Sequence, residues 1–134
     1  MDKELHSILF VEDDLHVRTT GKLVLEVIGK LDVHACRCAS EALAAARTVH
    51  PDLLLLDVMM PEQDGVELLK ALRQFPHLAQ VPALFITSAT NSDDLARYSA
   101  AGAVGVISKP LAPLTLAAQV IGLFDQARSP HLPH

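Results

Sequence analysis

Leu53-Leu54-Leu55-Leu56 is apolar at every position, and so are Ile8-Leu9-Phe10-Val11 and Ala83-Leu84-Phe85-Ile86. Successive residues of a strand point to opposite faces, so runs of this kind need apolar cover on both sides. Such strands belong in parallel sheets sandwiched between helices, not in sheets with one wet face. Two weaker runs complete the set: Val33 to Cys38, whose alternation suits an edge, and Val104-Gly105-Val106-Ile107. Segments of helical character separate them. In the last, Leu111, Leu114, Ala118, Ile121 and Phe124 recur at helical spacing, with Pro113 acceptable in the first turn. Asp64 and Glu67 resemble a capping box opening the third helix, Ser40 and Ser92 are expected to cap the second and fourth, and Gly102 marks the fourth helix's exit. The order is therefore five βα units. Right-handed crossovers then give an α/β fold: an open parallel sheet with helices on both faces.

The 134 residues suit one domain. Lys and Arg number 11 against 16 Asp and Glu, a net charge of −5, and no helix carries a basic stripe, so direct nucleic-acid binding is not expected. No apolar run reaches membrane-spanning length, and Met1-Asp2-Lys3-Glu4 lacks the layout of a signal peptide. Cys36 and Cys38 on one strand would have Cα atoms about 6.5–7 Å apart, a poor disulfide geometry. They read instead as buried small apolar residues of a cytoplasmic chain. We expect one domain over residues 1–126, with 127–134 a disordered tail or truncated linker.

In an open α/β sheet, ligands gather at the carboxyl ends of the strands. Run one ends in Glu12-Asp13-Asp14, run three in Asp57, run four in Thr87-Ser88, and run five in Ser108-Lys109-Pro110. Acids from two strands thus meet a hydroxyl and an ammonium from two others. Hard oxygen ligands in this number suit Mg²⁺, which takes one or two protein carboxylates and keeps several waters. A carboxylate there can also be a nucleophile forming an acyl phosphate. Phosphoryl transfer chiefly needs charge neutralisation, which Mg²⁺, Lys109 and Thr87 would supply. Asp57, a lone acid leaving the most apolar strand, is the candidate nucleophile; the Glu12–Asp13 pair suits a metal. An ordinary ion-pair network at a loop edge would explain one such acid, but not convergence from four strand ends. Asp14 reads as a solvated acid at a helix N-terminus, and His16 as a surface histidine.

Val11-Glu12-Asp13-Asp14, Leu56-Asp57-Val58-Met59-Met60-Pro61 with Asp64-Gly65, Thr87-Ser88-Ala89 and Ser108-Lys109-Pro110 resemble the receiver domain of two-component response regulators. The resemblance is collinear over roughly residues 5–126. It implies a flavodoxin-like (βα)5 three-layer sandwich with strand order 2-1-3-4-5. It implies Asp57 as phospho-acceptor, with Mg²⁺ held by Asp13, Asp57 and the backbone carbonyl of Met59, and by Glu12 through water. Thr87 would hydrogen-bond the phosphoryl group, Lys109 would pair with it, and the Lys109–Pro110 bond would be cis.

The donor would be a sensor histidine kinase or a histidine phosphotransfer protein. Output would pass to a downstream protein target through a changed surface, or to a second copy through the fourth helix, fifth strand and fifth helix. Such a protein modifies itself slowly and is not a turnover enzyme. One departure stands out: family members often carry Tyr or Phe three residues before the lysine, where this chain has Val106. Met59 and Ala89, two residues beyond Asp57 and Thr87, offer no group to orient an attacking water, so self-dephosphorylation should not be fast. Tyr98 suits either a partner surface or cover for the sheet. Two other functions fit less well. A Mg²⁺ phosphohydrolase would place a second acid at Met59, and a nucleotide- or flavin-binding protein would not put Glu12-Asp13-Asp14 where a phosphate loop belongs.

Overall fold

The computed structural model describes residues 4–128. Strands β1 (Ser7–Val11), β2 (Asp32–Cys36), β3 (Leu53–Asp57), β4 (Ala83–Thr87) and β5 (Gly105–Ser108) alternate with α1 (Leu15–Val27), α2 (Ala39–Ala45), α3 (Gly65–Leu72), α4 (Ser92–Ala100) and α5 (Leu116–Arg128). A short 3₁₀ turn, Pro76–Leu78, precedes β4. The five strands form one sheet, all pairings parallel, in the expected order β2-β1-β3-β4-β5.

The consecutive apolar positions are resolved as the two-period of a strand demands. Leu9, Val11, Leu54, Leu56 and Phe85 point into a layer shared with α2, α3 and α4. Ile8, Phe10, Leu53, Leu55, Leu84 and Ile86 point into the layer under α1 and α5. Every residue of β3 and β4 is buried, so the backbone of both strands is dry along its length. β2 and β5 are the edges, each with exposed positions.

The caps follow local chemistry, with corrections. Asp64 caps α3 by accepting from the Glu67 amide at 2.9 Å, while the Glu67 carboxylate turns to Lys70. α4 is capped by Asn91, not Ser92: Asn91 has the extended backbone a cap requires and accepts from the Asp94 amide at 2.9 Å. Ser40 lies inside α2 and does not cap it; the capping position is Cys38, which makes no side-chain cap bond. Cys38 therefore sits outside β2 and only half-buried, so of the two free thiols Cys36 alone belongs to the core. α4 ends where Gly102 takes φ +105°, with the Ala103 amide closing back on the Tyr98 carbonyl at 3.1 Å.

The face of α5 is rotated from the expected one. Leu116, Ala117, Val120 and Phe124 are buried, while Ala118 is exposed and Leu114 is 86% exposed in the turn before the helix. Helix α5 continues through Arg128; the remainder of the expected tail, 129–134, lies outside the described residues.

This layering has a measurable consequence. Leu55→Ala, which empties a fully buried position, should cost about 2–5 kcal/mol in urea unfolding. Leu114→Ala should stay within about 0.5 kcal/mol of the parent. Comparable losses for both would contradict the placement of the α5 face.

Candidate phosphoryl-transfer site

Asp57 is the last residue of the central, fully buried β3, and Glu12 is the residue after β1, next to it in the sheet. Both are fully buried, and Asp13 beside them is exposed. One carboxylate oxygen from each of Glu12, Asp13 and Asp57 lies within 4.8 Å of the others. Lys109, just past β5, reaches across the sheet edge to 3.2 Å from Asp57 Oδ1 and 3.3 Å from Glu12 Oε1. The Lys109–Pro110 peptide is cis, as the resemblance implied.

The backbone holds this cluster in place. The Met59 amide donates to Asp57 Oδ1 at 3.2 Å, and the Asp14 amide donates to Glu12 Oε2 at the same distance. Asp14 itself caps α1, accepting from the Val17 amide at 3.0 Å; it is no member of the cluster. Gly65 packs so tightly on β3 that a Cβ there would stand 2.4 Å from the Asp57 carbonyl oxygen, which explains the glycine after Asp64. Arg18, which sequence reading passed over, donates to the carbonyls of Glu12 at 2.8 Å and Asp13 at 3.3 Å, bracing the acidic loop from α1. Its only sequence signal is a basic residue one turn into the helix that follows the acids.

Electrostatics define what the cluster wants. Three carboxylates face one ammonium, and burial pushes Asp57 up to about 8, helped by the neighbouring Glu12 and Asp13 and opposed by Lys109. Burial works to lower the Lys109 ammonium's pKa, but the Glu12 and Asp57 charges outweigh it and hold it above its usual value. Asp57 Oδ2 is buried and accepts no hydrogen bond, and Glu12 Oε1, also buried, is met only by the Lys109 ammonium. An orphaned Asp57 oxygen beside two further carboxylates is a donor set that fits a small divalent cation. Opposite ligands around Mg²⁺ stand about 4.2 Å apart, so the observed spread is close to that needed.

Thr87, at the end of β4, is fully buried. Its Oγ1 accepts from the Ala89 amide at 3.0 Å and lies 3.3 Å from the hydroxyl of Tyr98. Tyr98 is 1% exposed and packs edge-on against Phe85, so it covers the sheet and is not a surface residue. Its contact with Thr87 was not legible in the sequence. His16 is exposed and lines a cleft of about 230 Å³ with Lys109, Pro110 and Leu111. Met59 has its side chain largely in solvent.

A family model described as the response regulator receiver domain matches residues 8–121. This chain belongs to that family. The receiver is 33% identical over 120 residues to the DNA-binding response regulator MtrA of Mycobacterium tuberculosis, covering 90% of this chain and 51% of MtrA. It is 34% identical over 106 residues to the polar-differentiation response regulator DivK of Brucella ovis, covering 78% of this chain and 85% of DivK. Chemotaxis protein CheY4 of Vibrio cholerae superimposes with a TM-score of 0.82 at 29% identity, over 89% of this chain and 98% of CheY4. The chain thus spans about half the length of MtrA and most of DivK and CheY4.

The raised pKa of Asp57 sets a pH dependence. With divalent ions chelated, the folded receiver keeps a proton on Asp57 that the unfolded chain releases above about pH 4. Its stability contribution is therefore present at low pH and is lost as pH rises through about 8. The stability gained by Asp57→Asn in urea unfolding should be larger at about pH 9 than at about pH 5. Saturating Mg²⁺ should raise the unfolding temperature of the parent and leave that variant nearly unchanged.

Proposed function

We propose that this receiver accepts a phosphoryl group on Asp57, in a Mg²⁺-dependent reaction, from a histidine kinase or histidine phosphotransfer protein. The observation that carries the reading is the placement of Asp57. It is a buried carboxylate at the carboxyl end of the central strand, 3.2 Å from Lys109 and grouped with two further acids. An Asp57 oxygen attacks phosphorus, and the bond from phosphorus to the donor's imidazole nitrogen breaks. The electron pair leaves with the imidazole, which is reprotonated from water.

Glu12, Asp13 and Asp57 would hold Mg²⁺, with the Met59 backbone beside them, and the ion would neutralise charge on the phosphoryl oxygens. Lys109 supplies a fixed positive charge on the opposite side of Asp57. Thr87 supplies a hydroxyl from β4. Once the carboxylate is converted to the acyl phosphate, Lys109 loses one of its two anionic partners and is released to pair with the phosphoryl oxygens.

The cleft between α1 and the Pro110–Pro113 turn opens beside Lys109, and Leu15 and Leu114 are more than two-thirds exposed near its ends. This apolar surface supports approach of a donor protein from the α1 side. The face of α4, β5 and α5, with half-exposed Leu95 and Val104, supports an output role toward a target protein or a second copy.

Incubation with acetyl phosphate and Mg²⁺ should add the mass of one phosphoryl group to the intact protein. Asp57→Asn should add none, and chelation should abolish the reaction in the parent. The modified protein should then lose phosphate over minutes or longer, since neither Met59 nor Ala89 can orient a water. Steady release of phosphate from many monoesters would point instead to a phosphohydrolase.

A further inference from the structure

We infer that Tyr98 on α4 is a positioning residue for Thr87, competing with the Asp57 phosphoryl group for the single proton of the Thr87 hydroxyl. The inference rests on the phospho-acceptor reading of Asp57 and extends it to a residue outside the acidic cluster.

The Tyr98 hydroxyl lies 3.1 Å from the Ala89 carbonyl oxygen and 3.3 Å from Thr87 Oγ1. A carbonyl can only accept, so the one phenolic proton goes to Ala89. The contact with Thr87 must then be filled by the Thr87 proton. Thr87 Oγ1 meanwhile accepts from the Ala89 amide at 3.0 Å. Thr87, Ala89 and Tyr98 thus form a closed ring of three bonds in which the threonine's only proton is already given to Tyr98.

A phosphoryl oxygen carries no proton to offer at neutral pH, so any bond between it and Thr87 needs Thr87 as donor. Making that bond breaks the one to Tyr98. Should the phenolic proton swing to Thr87 instead, the Ala89 carbonyl loses its partner. Either way, phosphorylation removes one hydrogen bond from a phenol that is 1% exposed. A buried polar group left unpaired is costly enough to shift the position of the ring or of the helix that bears it.

The surroundings direct that shift. Tyr98 stacks edge-on against Phe85 at 5.4 Å between ring centroids, and Phe85 pairs in register with Val106 of β5. Val106 packs against the same layer of core residues as Tyr98. The aromatic ring next to Thr87 is therefore supplied by a helix, and the β5 position holds a smaller aliphatic side chain. The neighbouring Arg97 ties α4 to Asp64 only through a half-exposed contact of 3.7 Å. Tyr98 is accordingly the inner anchor of α4 to the site, and release of its hydroxyl acts directly on the helix.

The chain contains one tyrosine and no tryptophan, so tyrosine emission reports this residue alone. Beryllium trifluoride with Mg²⁺ serves as the phosphoryl mimic, and its binding is followed independently by fluorine NMR. Tyr98 emission should change in step with fluoride-detected binding in the parent. Tyr98→Phe keeps the ring and removes the competing hydroxyl. It should bind the mimic about 2- to 10-fold more tightly, the range expected for losing one neutral hydrogen bond that opposes binding.

Tight binding by the parent together with unchanged Tyr98 emission and unchanged affinity of Tyr98→Phe would overturn the inference and leave the acceptor role of Asp57 standing. Weaker binding by Tyr98→Phe would also overturn it, since the hydroxyl would then be aiding the bound state. Absence of any bound fluoride signal in the parent would overturn the acceptor reading and this inference with it.

Discussion

The confinement of several negative charges to the dry end of a parallel sheet is the constraint on which the rest of this structure turns. Asp57 ends a strand whose every residue is buried, so its carboxylate has little water to share its charge. Glu12 is placed next to it by the β1–β3 pairing, and Lys109 is brought to both from the far edge of the sheet. A single ammonium cannot balance three acids, and burial answers by favouring a proton on Asp57. A divalent cation would take the place of that proton and return Asp57 to the ionised, nucleophilic form. The same electrostatic deficit that would weaken the fold at high pH would thus make the site respond to metal.

Phosphorylation would alter this balance at one atom, and the local wiring determines where the change goes. Lys109 is anchored through its backbone amide to the Thr87 carbonyl at 2.9 Å, so the hydroxyl and the ammonium that serve Asp57 are carried by the adjoining strands β4 and β5. The Thr87 hydroxyl is engaged by Tyr98 and Ala89, which extends the site into α4. In a chain with Val106 on β5, that helix-borne tyrosine is the group through which a threonine movement reaches the surface.

Much of this was readable from residues because strand ends are read locally. The unbroken apolar runs specified a two-faced parallel sheet, and the polar residues after four of the five runs named the site. Other features depended on choices that spacing does not resolve. Asn91 and Ser92 are both good caps, and only the extended backbone at Asn91 decides between them. On α5, the series with Leu114 and Ala118 and the series with Leu116, Ala117 and Val120 both end on Phe124. Which one faces the sheet depends on a helix that starts at Leu116. Tyr98 was hardest to read, because its contact with Thr87 arises from the rotation of α4 over β4.

Asp57 alone is expected to carry the phosphoryl group. Borohydride reduction of the phosphorylated protein, followed by peptide mass mapping, tests it most directly, because an acyl phosphate is reduced to the alcohol and leaves homoserine in place of the aspartate. Homoserine is expected at position 57 and at no other acid. Homoserine at position 13, or a modified peptide that does not contain position 57, would contradict it.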